Sequence, residues 1–183
     1  MRIWTRTATA IALAMSVTTP VFAQDDANTA PATPAPSCSA DEFRQMDFWV
    51  GDWIAEFPNG DGTTGTGTNR VTNDEYGDCV IFEHFATPGF NGMSVSTYHA
   101  PVGQWRQTWV DDQGGYFALV GGPVEGQSHE FELVNTRLSE NAPYLRMTWE
   151  DITEDSFVWR WQNKASEDAE WADAWVINYR RAE

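Results

Sequence analysis

The sequence has few basic residues and a single lysine, Lys164. Its 183 residues include 11 lysines and arginines against 27 aspartates and glutamates, which gives a formal net charge of −16. Such a charge repels the phosphates of nucleic acids and the head groups of anionic lipids. We therefore expect no nucleic acid partner and no binding to an anionic membrane surface.

The chain also lacks the short motifs that mark several common enzyme classes. It has no Gly-Lys-Ser/Thr phosphate loop, no Gly-x-Ser-x-Gly elbow and no His-Glu-x-x-His motif. The Gly-x-Gly-x-x-Gly string at residues 60–65 lies in a glycine-rich segment that fits a hairpin turn better than a ligand loop. Beyond the N-terminal segment, no run approaches the roughly 18 apolar residues that a membrane-spanning helix needs. These absences argue against the corresponding nucleotide, hydrolase and zinc chemistries and predict no membrane insertion.

The N-terminal segment differs in composition from the rest of the chain. Two arginines precede an apolar stretch, and small residues stand at positions −3 and −1 of a cut after Ala23. This pattern predicts a secretory signal peptide over residues 1–23 and a periplasmic or secreted mature protein. Residues 24–37 contain three prolines and no large apolar side chain, which predicts a linker. A single folded domain is expected over residues 38–183.

Cys38 and Cys79 are the only two cysteines. An even count in a chain bound for an oxidising compartment predicts one disulfide. A redox-active pair would more typically lie two residues apart, and a metal site would need further clustered ligands. A disulfide between them would close a loop of about 40 residues and stabilise the fold by about 4 kcal/mol on the chain-entropy model.

The folded part contains one helix signal and many strand signals. The spacing from Ser39 to Glu42 is that of a capping box, and it predicts a short helix that has Ser39 as its N-cap and ends near Gln45. Runs rich in aromatic and β-branched residues follow, separated by turn residues. They predict ten strands, at residues 47–57, 65–73, 78–86, 92–100, 103–111, 115–122, 127–135, 144–151, 155–163 and 171–181.

Ten consecutive strands joined by short turns predict an all-β fold, an antiparallel up-and-down barrel with one short N-terminal helix. A meander of this length usually hides its edges by closing on itself. Most tryptophans fall on one face of their segments, whereas we expect Phe157, Trp159 and Trp161 to straddle both faces of the ninth. A two-sheet sandwich would give the same alternation and stays an alternative.

Six ordered motifs resemble an exported bacterial family known as domain of unknown function 1579. They are MDFWVGDW, GTNR, GDCVIFE, GMSVSTY, WRQTWVD and RMTW, at residues 46–53, 67–70, 77–83, 92–98, 105–111 and 146–149. The resemblance covers about residues 38–181 and implies a lipocalin-like, or calycin-like, domain without an agreed activity. The chain departs from the family at His99, where similar proteins often have Asp, and at residues 166–171, where they have a Ser-x-Asp-Gly-Gly-x-Thr-Trp turn.

The candidate ligand site consists of polar residues placed among strand tryptophans. Gln107 and Asp111 alternate with Trp109, so an amide and a carboxylate face the interior if the indole does. Burying such groups is costly unless they have partners, and Arg146 is the expected partner. The predicted ligand-binding residues are Trp53, Glu83, Tyr98, Gln107, Trp109, Asp111, Arg146 and Trp149.

An aromatic cavity with a few polar groups is the usual anatomy of a small-molecule pocket. We therefore predict that the protein holds a small apolar or aromatic ligand in a Trp-lined interior. The same polar residues would also suit a structural network or a water-facing surface. A carboxylate pair drawn from Glu83, Asp111, Glu150 and Asp151 would suit acid/base hydrolysis of a carbohydrate-type substrate. A carbohydrate-binding face and a structural or partner-binding module are further alternatives, and the sequence identifies no particular protein partner.

The three histidines, His84, His99 and His129, fall on different predicted strands. A zinc site needs three or four convergent ligands, so they do not predict one. A haem-binding barrel of the nitrobindin type is topologically similar, but its Gly-x-Trp-x-Gly-x-Gly opening is missing and the last strand holds no histidine. We therefore predict no metal, no cofactor and no catalytic residue.

Overall fold

The structure is a computed structural model that describes residues 38–73, 75–125, 131–135 and 139–183. The predicted signal peptide, the predicted linker and His129 lie outside these residues. The helical elements are α1 (Asp41–Arg44) and two 3-10 helices, Asp47–Trp49 and Ala100–Val102. The strands are β1 (Gly51–Pro58), β2 (Thr64–Thr72), β3 (Val80–Thr87), β4 (Phe90–His99), β5 (Gln104–Asp111), β6 (Tyr116–Pro123), β7 (Phe131–Asn135), β8 (Tyr144–Glu150), β9 (Ser156–Lys164) and β10 (Ala172–Arg181). No helix in these ranges is long and apolar enough to cross a membrane.

The ten strands form one closed antiparallel barrel. Each strand pairs with the next one along the chain, and β1 pairs with β10, where Ala55 lies opposite Tyr179. Every strand therefore has a neighbour on both sides, and the sheet has no free edge. The predicted up-and-down barrel is confirmed, and the two-sheet sandwich is wrong.

The chain enters the barrel through a helical segment that differs from the prediction at two points. The N-cap of α1 is Ala40, which makes no side-chain cap hydrogen bond. Glu42 is then the second helical residue rather than the third, so the predicted capping box does not form. The first strand begins at Gly51 because Asp47–Trp49 forms a 3-10 turn. Such a turn places Met46 and Trp49 on one side, and both are buried.

Residues 41–49 close one end of the barrel, and we call them the plug. The Trp49 ring packs edge-on against Trp149, with the ring centroids 5.3 Å apart. The indole N–H of Trp53 donates to the backbone carbonyl of Trp49 at 2.8 Å. Phe43, on the helix, packs edge-on against Tyr98 of β4 with centroids 5.3 Å apart. Aromatic contacts of this kind stabilise the closed end beyond the area that they bury.

Cys38 and Cys79 form the predicted disulfide, with their Cα atoms 4.9 Å apart. The bridge ties the residues just before the plug to the loop that leads into β3. Arg44 supports the same junction, because its Nη2 donates to the backbone carbonyl of Asp78 at 2.6 Å. The plug is therefore held to the barrel wall by a covalent link as well as by packing.

The interior faces follow the two-residue alternation of the strands. On β9, Phe157 is buried, and Trp159 and Trp161 line the interior of the barrel. Their partners on β10 are Tyr179, Ile177 and Trp175, respectively. Our expectation that the three β9 rings straddle both faces is wrong, because residues two apart in a regular strand share a face.

Candidate functional site

A cavity of about 130 Å³ lies between the plug and the hairpin turns at the opposite end of the barrel. Aromatic side chains make up most of its wall, and only Glu83 and Asp111 contribute carboxylates. Six of the fourteen lining residues are tryptophans, namely Trp49, Trp109, Trp149, Trp159, Trp161 and Trp175. Three more are the phenylalanines Phe85, Phe90 and Phe117.

The rings of the wall meet at steep angles. The plane of Trp175 lies at 90° to that of Trp159, at 85° to that of Phe85 and at 73° to that of Phe90. Trp159 and Trp161 stack with their planes 6° apart. Steep angles of this kind are the edge-to-face packing that aromatic rings prefer.

Glu83 lies deep in the wall on β3 and is only 7% exposed. Its Oε1 accepts a hydrogen bond from Nδ2 of Asn69 at 2.8 Å, and its Oε2 accepts one from the hydroxyl of Ser94 at 2.6 Å. Burial raises the pKa of Glu83 to about 7, against the two hydrogen bonds, which favour the ionised form. Glu83 is thus a buried carboxyl group that exchanges its proton near neutral pH.

Tyr179 of β10 lines the same cavity. Burial, and then the nearby charge of Glu83, raise the pKa of the Tyr179 hydroxyl well above its ordinary value. The phenol therefore keeps its proton wherever Glu83 titrates. It adds a neutral polar group to the wall, and its hydroxyl interacts with the Asn69 amide that also donates to Glu83.

Asp111 ends β5 and lines the rim of the cavity near the β5–β6 turn. Its carboxylate accepts hydrogen bonds from the indole N–H of Trp109 at 3.0 Å, the amide of Gly115 at 2.7 Å and the amide of Gln113 at 3.0 Å. The hydrogen bond from Trp109, aided by those from the two amides, holds the pKa of Asp111 below its ordinary value. Asp111 therefore stays ionised and orients the Trp109 ring.

Four of the eight predicted ligand-binding residues line the cavity, namely Glu83, Trp109, Asp111 and Trp149. Trp53, Tyr98 and Gln107 do not line it, because they are used in packing. The Arg181 guanidinium lies 4.3 Å from the Trp53 ring centroid, and the amide of Gln107 donates to the Ser96 hydroxyl at 3.0 Å. Tyr98 packs against the plug, as described above.

The expected inward orientation of Arg146 is wrong, because its side chain lies on the outer face of the barrel. The next residue, Met147, lines the cavity, so Arg146 points the opposite way. Its guanidinium pairs with Glu132, donates from Nε to Gln162 at 2.7 Å and lies 4.4 Å from the Trp171 ring centroid. Arg146 therefore stabilises the outer surface and has no contact with the cavity.

The sequence prediction missed several lining residues that the alternation of β9 and β10 would have revealed. Trp159 and Trp161 are two residues apart on β9, and Trp175, Ile177 and Tyr179 are two apart on β10. Applying the same parity to both strands places all five side chains on one face.

The remaining acidic and histidine candidates lie outside the cavity. Glu150 is on the outer face and accepts a hydrogen bond from Arg160 Nε at 2.8 Å, and Asp151 is exposed in the following turn. His84 and His99 are both exposed. Within the described ranges, no three His, Cys, Asp or Glu side chains come together as a metal site.

A comparison with protein-family models finds no match, and a comparison with curated proteins finds no similar sequence. The resemblance to domain of unknown function 1579 therefore stays a prediction. The site combines an aromatic cavity, a buried carboxyl group that titrates near neutral pH and an ionised carboxylate at the rim.

Proposed function

We propose that this protein binds a small apolar or aromatic molecule in its barrel cavity. The observation that carries the proposal is a space of about 130 Å³ lined by six tryptophans and three phenylalanines. An engineered apolar cavity of about 150 Å³ in another protein stays dry and binds benzene. The cavity is thus suited to a ligand whose buried part is one aromatic ring or a body of similar size.

The contrast between the two ends of the barrel supports ligand binding over a purely structural role. At the plug end, Trp53 and Trp105 are each 1% exposed and fill the interior. At the cavity end, Trp109, Trp161 and Trp175 are only half-buried and border unfilled space. Leaving space beside large side chains costs stability, which argues that the space serves a purpose.

We place this binding in the periplasm or outside the cell. The disulfide between Cys38 and Cys79 supports an oxidising compartment. The predicted signal peptide over residues 1–23 points the same way. A binding protein in such a compartment meets ligands taken from the surroundings of the cell.

The first test is to purify the full chain from a host that exports it and leaves bound molecules in place. Native mass spectrometry and tryptophan fluorescence are then recorded on the same sample. A co-purifying mass whose removal changes the fluorescence supports the proposal. An apo mass, with fluorescence unmoved by toluene, indole and cyclohexanol, overturns it.

Two half-buried tryptophans provide a matched pair of variants. Trp161 lines the cavity, whereas Trp171 lies beside Arg146 and has Lys164 Nζ 4.9 Å from its ring centroid. Trp161→Leu should weaken ligand binding roughly tenfold, or by about 1.4 kcal/mol, whereas Trp171→Leu should leave it unchanged. Equal effects of the two substitutions on binding would place the ligand elsewhere.

A further inference from the structure

Two features of the cavity together favour a positively charged ligand: its lining is mostly aromatic, and it contains acidic groups but no basic residue. We infer that the ligand is an organic cation, a protonated amine on a compact apolar body, with its N–H group directed at the Glu83 carboxylate. This inference rests on the proposed function and specifies the chemical class of the ligand.

The aromatic wall suits a cation as well as a neutral ring. Ammonium groups are attracted to the faces of aromatic rings, most strongly to that of tryptophan, and the attraction grows when water is excluded. Trp159 and Trp175 pack edge-to-face in this wall, and Phe85 and Phe90 are steeply inclined to Trp175, so rings of more than one orientation line the cavity.

Glu83 and Asn69 together have more hydrogen-bond acceptor sites than the described residues fill. Each oxygen of Glu83 accepts one hydrogen bond, and a carboxylate has about four acceptor sites in all. Asn69, which donates to Glu83, is itself 1% exposed, and its Oδ1 accepts no hydrogen bond from the described residues. Buried acceptors without donors are costly, so a ligand that brings N–H groups matches what this region lacks.

The charge of the lining is also unbalanced. Glu83 and Asp111 are acidic, and none of the fourteen lining residues is basic. Arg146, which the sequence suggested as a partner, is used on the outer face with Glu132. A buried carboxylate is stable only with a countercharge or hydrogen bonds, and a cationic ligand would supply both. The net charge of −16 further favours the approach of cations.

Glu83 is the group that should make this binding depend on pH near neutrality. The residues that hold its carboxylate, Asn69 of β2 and Ser94 of β4, do not titrate. The other titratable groups of the lining are Tyr179 of β10, which stays neutral, and Asp111 of β5, which stays ionised. Cation binding should therefore strengthen as Glu83 ionises with rising pH.

The test uses three probes of similar size: benzylammonium, benzyl alcohol and toluene. Calorimetry or tryptophan fluorescence on the disulfide-bonded protein gives the affinity for each. At about pH 8, benzylammonium should bind at least roughly tenfold more tightly than benzyl alcohol, and acidification to about pH 5.5 should remove most of that preference. Glu83→Gln should abolish the preference at both pH values.

The outer carboxylate Glu56, which pairs with Arg180, provides the control for net charge. Glu56→Gln should leave the preference for benzylammonium intact. Should Glu83→Gln fail to fold, the pH dependence of the unaltered protein carries the test. Equal binding of benzylammonium and benzyl alcohol, or benzylammonium affinity that rises on acidification, would overturn the cation inference but leave the proposed function standing. If none of the three probes binds, both proposals fall.

Discussion

The Ser94 hydroxyl donates a 2.6 Å hydrogen bond to Oε2 of Glu83, directly across the β3–β4 pair. The next serine on the same face, Ser96, accepts a hydrogen bond from Gln107 instead. Both serines are 1% exposed, so they differ in partner rather than in burial. Ser94 therefore acts on the protonation of Glu83, and Ser96 serves as the matched control.

We predict that Ser94→Ala raises the pKa of Glu83 further above 7, because it removes a donor that favours the ionised form. Ser96→Ala should leave that pKa unchanged. An NMR titration of the glutamate side chains, or of tryptophan fluorescence against pH, measures the midpoint. Equal midpoints in the two variants would contradict the assignment of Ser94 as the residue that tunes Glu83.

Glu83 should also make stability fall as pH rises. Its pKa is about 7 in the folded protein against an ordinary value of 4.5, so the folded state holds a proton that the unfolded state loses in this range. The stabilisation that protonated Glu83 contributes is fully present below pH 4.5 and is lost progressively as pH rises to about 7. The loss is about 3 kcal/mol, from about 1.4 kcal/mol for each unit of pKa difference.

Glu83→Gln should remove this part of the pH dependence. Denaturant unfolding of both proteins at several pH values gives the difference in unfolding free energy. Relative to the unaltered protein, Glu83→Gln should gain stability as pH increases from 4.5 to about 7. If the unfolding free energies of the two proteins changed with pH in parallel, the Glu83 carboxyl group would be solvated rather than buried.

The barrel could be predicted from the sequence because its signals are local. Each strand carries aromatic or β-branched residues, and each turn has its own glycine, asparagine or aspartate. The order of consecutive hairpins then follows from short connections. The exception is Trp49, whose strand-like surroundings gave no indication that docking against Trp149 would favour a 3-10 turn.

The site could be predicted only in part, because a cavity depends on contacts between distant strands. Trp53 and Trp109 look alike in sequence, yet one is packed against Arg181 and the other borders free space. Arg146 was assigned to the interior because Gln107 and Asp111 needed a partner, although Met147 beside it already indicated the opposite face. Parity along the strand would have corrected this, whereas the volume left unfilled is a property of the whole barrel.

Gly92 makes room for a wall of the cavity, which gives a third prediction. A Cβ at this position would overlap the six-membered ring of Trp109, whereas a Cβ at Gly122 of β6 would meet nothing. Gly92→Ala should therefore displace Trp109, weaken ligand binding and lower the unfolding free energy by about 1–3 kcal/mol. Gly122→Ala should do neither. Ligand titration and denaturant unfolding of both variants test this, and unchanged binding in Gly92→Ala would remove Trp109 from the site.

The last prediction concerns the link between the disulfide and the plug. Replacing both Cys38 and Cys79 with serine should lower the unfolding free energy by about 4 kcal/mol, because the unfolded chain regains the freedom of a loop of roughly 40 residues. The double substitution avoids an unpaired thiol.

The plug should loosen beyond this global loss. Trp49 forms part of the cavity wall and reaches it from the segment that Cys38 anchors. Amide hydrogen exchange at residues 41–49 should therefore accelerate more than exchange in β8 and β9, and the ligand should bind more weakly. A reductant should produce the same changes in the unaltered protein and none in the double variant. If exchange accelerates equally in the plug and in these strands, the disulfide stabilises the barrel as a whole, and packing around Met46 and Trp49 holds the plug by itself.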